Sequence, residues 1–201
     1  MNNKLKLILI VAGVVFVLIG GYLTWTALYP GVGEFQELTV ADYISGKSID
    51  VSVHYPLRVL IGKTSQIRVK YDAATGLIPG SALDQELDLS GFVVTPQKRQ
   101  MTPLSDGQKG TAAWKIVPVS PEKAEAVVTL ALESVPNGMF ALSPTAQATF
   151  KVDAFKILGM DYATMLKTGL VFLLVGALAV FVSLKLKSAQ PKLIKRPHIY
   201  G

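Results

Sequence analysis

Apolar positions follow two patterns along this 201-residue chain. From Leu7 to Leu28 no side chain is ionisable, and these 22 residues make a helix of about 33 Å at 1.5 Å rise per residue, enough to cross a hydrocarbon core. Thr168 to Leu184 is a second uncharged run, of 17 residues, which extends outward through Met165 and Tyr162 if Lys167 snorkels. Between the two runs the apolar period falls to two, the mark of strands with one buried face.

That alternation is clearest in four places. Ile49, Val51, Val53 and Tyr55 alternate with Asp50, Ser52 and His54, and Ile67, Val69 and Tyr71 alternate with Gln66, Arg68 and Lys70. Ala126, Val128, Leu130 and Leu132 share one face, as do Ala148, Phe150, Val152 and Ala154. Glu34 to Val40, Gln85 to Val94 and Thr111 to Val119 are less regular candidates. The second is expected to bulge at Gly91, where the buried phase passes from Leu87 and Leu89 to Phe92 and Val94. Turn residues at Gly62, Gly76 to Gly80, Ser105 to Gly110, Ser120 with Pro121, and Pro136 to Gly138 separate these segments. About seven short strands at this spacing predict an antiparallel sandwich.

The stretch from Tyr55 to Tyr71, YPLRVLIGKTSQIRVKY, resembles the opening strands of bacterial immunoglobulin-like domains, with a proline, a short strand and a glycine turn before a long alternating strand. Trp114-Lys-Ile-Val-Pro118 followed by Ala126 to Leu132 is similar in kind. The resemblance implies a fold and leaves function open. The expected class is therefore a membrane protein in which two transmembrane α-helices flank an all-β, immunoglobulin-like sandwich. Its expected divisions are an N-terminus at 1–6, spans at 7–29 and 162–184, a sandwich at 30–161 and a basic tail at 185–201.

A cleaved secretory signal is the alternative for the first run, since Lys4 and Lys6 precede an apolar stretch. The run is long for a signal, and Trp25 stands where a small residue should precede a cut after Ala27. Tyr22, Trp25 and Tyr29 fit an aromatic belt at a membrane interface instead, with Lys167 anchoring the other span.

Charge orients the picture. The formal net charge is +6, yet Pro30 to Lys156 carries 12 Lys or Arg against 13 Asp or Glu. The excess lies in Lys4, Lys6, Lys185, Lys187, Lys192, Lys195 and Arg196, beyond the outer ends of the two runs. Positive flanks stay inside, which predicts cytoplasmic termini, an extracytoplasmic middle and residence in the plasma membrane. Basic residues gathered in tails do not make a nucleic-acid surface on the folded domain, so no nucleic-acid partner is expected.

Candidate chemistry is sparse. With no cysteine the chain has no disulfides, thiol catalysis or cysteine-ligated metal. Asp50, Ser52 and His54 could share a strand face and imitate a hydrolase triad, but one flat strand offers no nucleophile elbow or oxyanion donors, and a solvated histidine is the simpler reading. His198 belongs to the basic tail. Asp84, Glu86 and Asp88 could attract calcium weakly, although the wet side of an edge strand explains them more simply. Neither span core carries an ionisable group, which argues against an ion pathway or a haem ligand there. No enzyme activity, cofactor, metal or small-molecule substrate is expected.

The spans do carry glycines seven residues apart, Gly13 and Gly20 in the first and Gly169 and Gly176 in the second. Seven residues return to nearly the same helix face, so each pair marks a surface for close packing, on the other span or on a neighbour. Glycine is also common in transmembrane helices for general reasons. Together these features suggest an accessory or scaffold subunit of a larger membrane assembly, with other membrane subunits and lipid as partners. The alternative is a membrane-anchored module binding a peptide, polysaccharide or wall component through an edge strand or the Thr95 to Gly110 loop, which contains Lys98, Arg99, Gln100 and Met101.

Overall fold

The computed structural model describes residues 3–29, 31–42, 46–73, 77, 80–134, 141–142 and 145–185. The chain divides into two compact units, one holding the two apolar helices and the other running from Tyr29 to Ala163. Helix α1 spans Asn3–Leu28, so Lys4 and Lys6 lie in its first turns, and helix α2 spans Tyr162–Lys185.

The second unit is an all-β sandwich with eleven strands among the described residues: β1 (Gly33–Asp42), β2 (Lys47–Pro56), β3 (Arg58–Leu60), β4 (Ser65–Asp72), β5 (Ala82–Leu89), β6 (Phe92–Thr95), β7 (Arg99–Pro103), β8 (Lys109–Pro118), β9 (Lys123–Ser134), β10 (Ala141–Leu142) and β11 (Ala146–Phe155). One sheet has the order β1-β2-β4-β8-β6; the other has β3-β11-β9-β5-β7, with β10 on β9. Alternation builds the core between them. Ile49, Val51 and Val53 from β2, Ile67 and Val69 from β4, and Trp114 and Ile116 from β8 meet Leu83, Leu87, Val128, Leu130 and Val152 of the facing sheet. Burying each large apolar side chain contributes about 1.5–3 kcal/mol, which makes this core the main source of the domain's stability.

The chain changes sheet at two points that matter later. After Pro56, which has no N–H to continue the ladder, Leu57 leads into β3, and β3 runs parallel to β11 with Leu60 opposite Phe155. The Gln85 to Val94 segment is not one bulged strand. It is β5 and β6, which lie in different sheets and are joined at Ser90 and Gly91, where Gly91 takes a φ of +71° that favours glycine. The shift of buried phase at this point marks a change of sheet. The Thr95 to Gly110 segment is likewise more than a loop, because it contains β7, an edge strand paired with β5. β5 is accordingly an inner strand, and Asp84, Glu86 and Asp88 do not stand on an edge. The Pro136 to Gly138 turn, most of Gly76 to Gly80, and the tail beyond Lys185 lie outside the described residues.

Candidate functional site

The residues with the most demanding geometry are the four glycines of the helix pair. Gly13 stands opposite Gly176, and Gly20 opposite Gly169, so the helices run antiparallel with glycine facing glycine at two levels. A β-carbon on Gly13 would lie 2.9 Å from the Gly176 carbonyl oxygen and 3.2 Å from the Val180 amide; on Gly20, 2.6 Å from the Gly169 oxygen and 2.7 Å from the Leu173 amide. The converse contacts repeat the pattern. Gly169 would meet the Gly20 oxygen at 3.1 Å and the Thr24 amide at 3.0 Å, and Gly176 the Gly13 oxygen at 2.6 Å and the Val17 amide at 2.8 Å.

Each glycine therefore faces the opposing glycine's carbonyl and the amide of the residue one turn beyond it. Ordinary contact for a β-carbon begins near 3.4 Å, so no larger residue fits without moving the backbones apart. The seven-residue spacing extends the seam to Ala27 in α1 and Ser183 in α2, both fully buried, with the Ser183 hydroxyl donating to the Val180 carbonyl at 2.7 Å. A seven-residue repeat of small residues is the pattern by which two helices wind closely about each other. Phe16 and Phe172 add an edge-to-face contact, with ring centroids 5.3 Å apart. Thr24 Oγ1 lies against Gly169, buried and with no hydrogen-bond partner among the described residues.

Outside this seam the helices remain apolar. Both helices are strongly apolar and only a small share of either is buried. Leu7, Leu18, Leu174, Leu178 and Leu184 are each more than 60% exposed. Both helices are long and apolar enough to cross a membrane. Tyr22, Trp25 and Tyr29 are exposed at the end of α1, and Lys167 is exposed in the second turn of α2. Lys185 closes α2 with its ammonium 5.4 Å from the Phe181 ring centroid. Lys187, Lys192, Lys195 and Arg196 fall outside the described residues.

The sandwich's polar groups engage one another. His54 Nε2 and Ser52 Oγ are 3.3 Å apart, but Asp50 accepts from Thr39 at 3.3 Å and the Phe35 ring stacks on the imidazole, so the three do not form a relay. Partial burial, with Lys70 and Arg68 nearby, pushes His54 below its usual 6.5. Asp50, Ser52 and Lys70 line an open depression of about 730 Å³ on the outer face of the β1-β2-β4-β8-β6 sheet, where Lys109 pairs with Asp72.

On the other sheet Arg99 binds Asp84 through Nε at 2.9 Å and through its terminal nitrogen at 2.7 Å, and reaches Glu133 at 3.4 Å. Lys98 lies 3.6 Å from Asp88. The acidic row of β5 is thus met by cations of β7 and its approach, and no metal-binding cluster occurs among the described residues. Two residues given no site role by the sequence hold this corner together. Trp114, fully buried, donates its indole N–H to the Gln97 and Lys98 carbonyls at 3.0 and 3.1 Å. Gln85, also fully buried, donates to Thr102 Oγ1 at 2.9 Å.

No family model matches the chain, and no curated protein matches it in sequence. Among solved structures it is similar to a chain in the complex of zinc 2-glycoprotein with prolactin inducible protein from human seminal plasma, with 10% identity over 60% of this chain and 93% of that one at a TM-score of 0.38. It is also similar to SSP-19, an MSP-domain protein like family member in Caenorhabditis elegans, with 13% identity over 48% of this chain and 92% of that one at a TM-score of 0.30. Neither likeness is close enough to bear on fold or function.

Proposed function

We propose that this chain is a non-catalytic accessory or scaffold subunit of a larger membrane protein complex, anchored by a two-helix hairpin and presenting its sandwich outside the cytoplasm. The observation that carries the reading is the contrast within the hairpin. One narrow seam is closed by glycine against glycine, while the rest of both helices remains apolar and exposed. A water-soluble protein rarely leaves so large an apolar surface uncovered, whereas lipid or the helices of neighbouring subunits cover it without penalty.

The glycine faces are used within the chain, so lateral docking falls to the outward faces, such as those bearing Leu18 and Leu174. The proposed cytoplasmic termini are supported by Lys4, Lys6 and Lys185, with the four further cations of the tail, through the positive-inside rule. Absence of catalysis is part of the proposal, supported by the internal pairing of the sandwich's charged groups. Purification of the full chain in a mild detergent should recover it with other membrane proteins at a fixed ratio. Recovery as a lone monomer under conditions that preserve known complexes contradicts the scaffold role.

A surface-binding module is the second reading, favoured by β1, a ten-residue strand that has a strand neighbour on one side only among the described residues. Its unpaired edge could accept an extended peptide as an added strand. A lone monomer that binds peptide along β1 would establish this alternative.

A further inference from the structure

Four bonds tie one pole of the sandwich together. The Lys63 ammonium donates to the Tyr29 carbonyl, Tyr162 N–H donates to the Ile61 carbonyl at 2.8 Å, Gly62 N–H to Pro118 at 3.2 Å, and Ile61 N–H to Phe155 at 3.0 Å. Tyr29 directly follows α1, and Tyr162 is the first residue of α2. Both connections to the apolar helices therefore leave the domain beside the Ile61–Lys63 turn. This same pole carries uncovered apolar side chains, with Tyr29 49%, Val32 62%, Val119 62% and Leu158 83% exposed.

Leu158 is the most unusual of them. Ile157 and Met160 exchange backbone hydrogen bonds at 3.2 and 2.9 Å across a two-residue turn, in which Leu158 has a φ of +52° and Gly159 +74°. Both central residues of such a turn need positive φ, which asparagine followed by glycine adopts readily and a bulky leucine does not. Leucine is thus held in an unfavourable conformation at the most exposed point of the pole, where water gives it no compensation. Gly159, Met160 and Asp161 are all that separates it from α2, so its backbone stays within about 14 Å of the helix's first residue. Lys156, exposed beside the turn, supplies a cation at the same level.

We infer that this pole is a membrane-docking surface: Tyr29, Val32, Val119 and Leu158, gathered where both helices leave the domain, seat in the headgroup and acyl boundary of the bilayer, with Leu158 entering deepest. Aromatic and aliphatic side chains flanked by lysine suit that boundary, where an apolar body and a charged tip are both accommodated. The pole then contacts the bilayer in addition to the two connections. The inference rests on the helices crossing a bilayer, and the experiment separates the two claims.

The chain contains no cysteine, so single-cysteine variants take one label each. Full-length Leu158→Cys, Val119→Cys, Leu18→Cys and Thr149→Cys, each bearing an environment-sensitive fluorophore, are reconstituted into phosphatidylcholine–phosphatidylglycerol vesicles with and without lipids spin-labelled near the headgroup or at mid-chain. The Leu158 and Val119 labels should emit to the blue of the Thr149 label and lose most of their emission to the shallow spin label. The Leu18 label should respond to the mid-chain one.

A Leu158 label that emits like the Thr149 label and is not quenched overturns the docking surface, while a quenched Leu18 label leaves the spanning helices standing. If neither is quenched, both claims fall. A blue-shifted but unquenched Leu158 label means that protein, and not lipid, covers the pole, which also overturns the inference. Leu158→Asn, better suited to the turn, should keep the fold and shift the Val119 label to the red; no change in that label would contradict a mooring role for Leu158.

Discussion

Leucine in place of Gly13 or Gly20 adds a branched side chain where even a β-carbon would sit 2.6–2.9 Å from a facing carbonyl. Alanine alone requires the helices to retreat by about 0.5–0.8 Å to reach ordinary contact, and leucine requires more. Spin labels at Val11→Cys and Leu178→Cys, both on exposed positions, should report a longer and broader distance in the Gly13→Leu protein. An unchanged distance means the seam is not the contact that holds the pair. Trp114→Phe keeps an aromatic ring in the core but gives up part of the indole's volume and strips the Gln97 and Lys98 carbonyls of their shared donor. A loss of about 1–3 kcal/mol or more is expected in denaturant unfolding from the unpaired carbonyls and the lost packing together, and a loss near zero would show that neither contributes net stability.

His54 offers a check by pH. Its folded form binds a proton less readily than the unfolded chain, because of partial burial and then Lys70 and Arg68, so the folded value lies below 6.5. Above 6.5 both states are neutral at this site; as pH falls below 6.5 the unfolded chain takes up the proton first, and the domain loses stability until the folded histidine also titrates. NMR titration of the His54 ring should give a value under 6.5 that rises in Lys70→Met. A value at or above 6.5 contradicts the assigned environment.

The long elements were legible from pattern alone, and the short ones were not. β2, β4, β9 and β11 each have a continuously buried face, so their apolar residues alternate for the strand's whole length. β3 is only three residues long, and β7 has no fully buried position, being an edge strand. Neither leaves a periodic signal. Gly91 carried a real signal that admitted two readings, because a bulge and a change of sheet both shift the buried phase by one residue. The glycine spacing in the helices was legible as a packing face, yet its partner was not, since a face that fits its own hairpin and one that fits a neighbour look alike in sequence. Thr24 and Ser183, polar residues on or beside that seam, give no sequence signal because a lone hydroxyl fits anywhere on a helix. The hydrogen bonds of Gln85 and Trp114 are not legible in the sequence, because their partners lie in or just before β7, a short edge strand with no buried face to give a periodic signal.

At the scale of the whole chain, an apolar helix pair whose two connections to a polar sandwich lie at the same end gains from having each part in its own solvent. In the proposed topology, lipid takes the uncharged flanks of α1 and α2 but not the charged outer faces of the sheets, with the domain on one side of the bilayer and both termini on the other. Two alternatives would break this arrangement, namely a first helix removed as a signal, or helices packed against another soluble domain. Labelling of single cysteines in intact cells with a membrane-impermeant thiol reagent distinguishes them from the proposed topology, because the natural chain offers no competing thiol. Thr149→Cys should react from outside without permeabilisation, and Lys4→Cys should be retained in the mature protein and react only after the membrane is opened. Protection of Thr149→Cys, reaction of Lys4→Cys in sealed cells, or loss of the Lys4 label with a trimmed N-terminus contradicts the account.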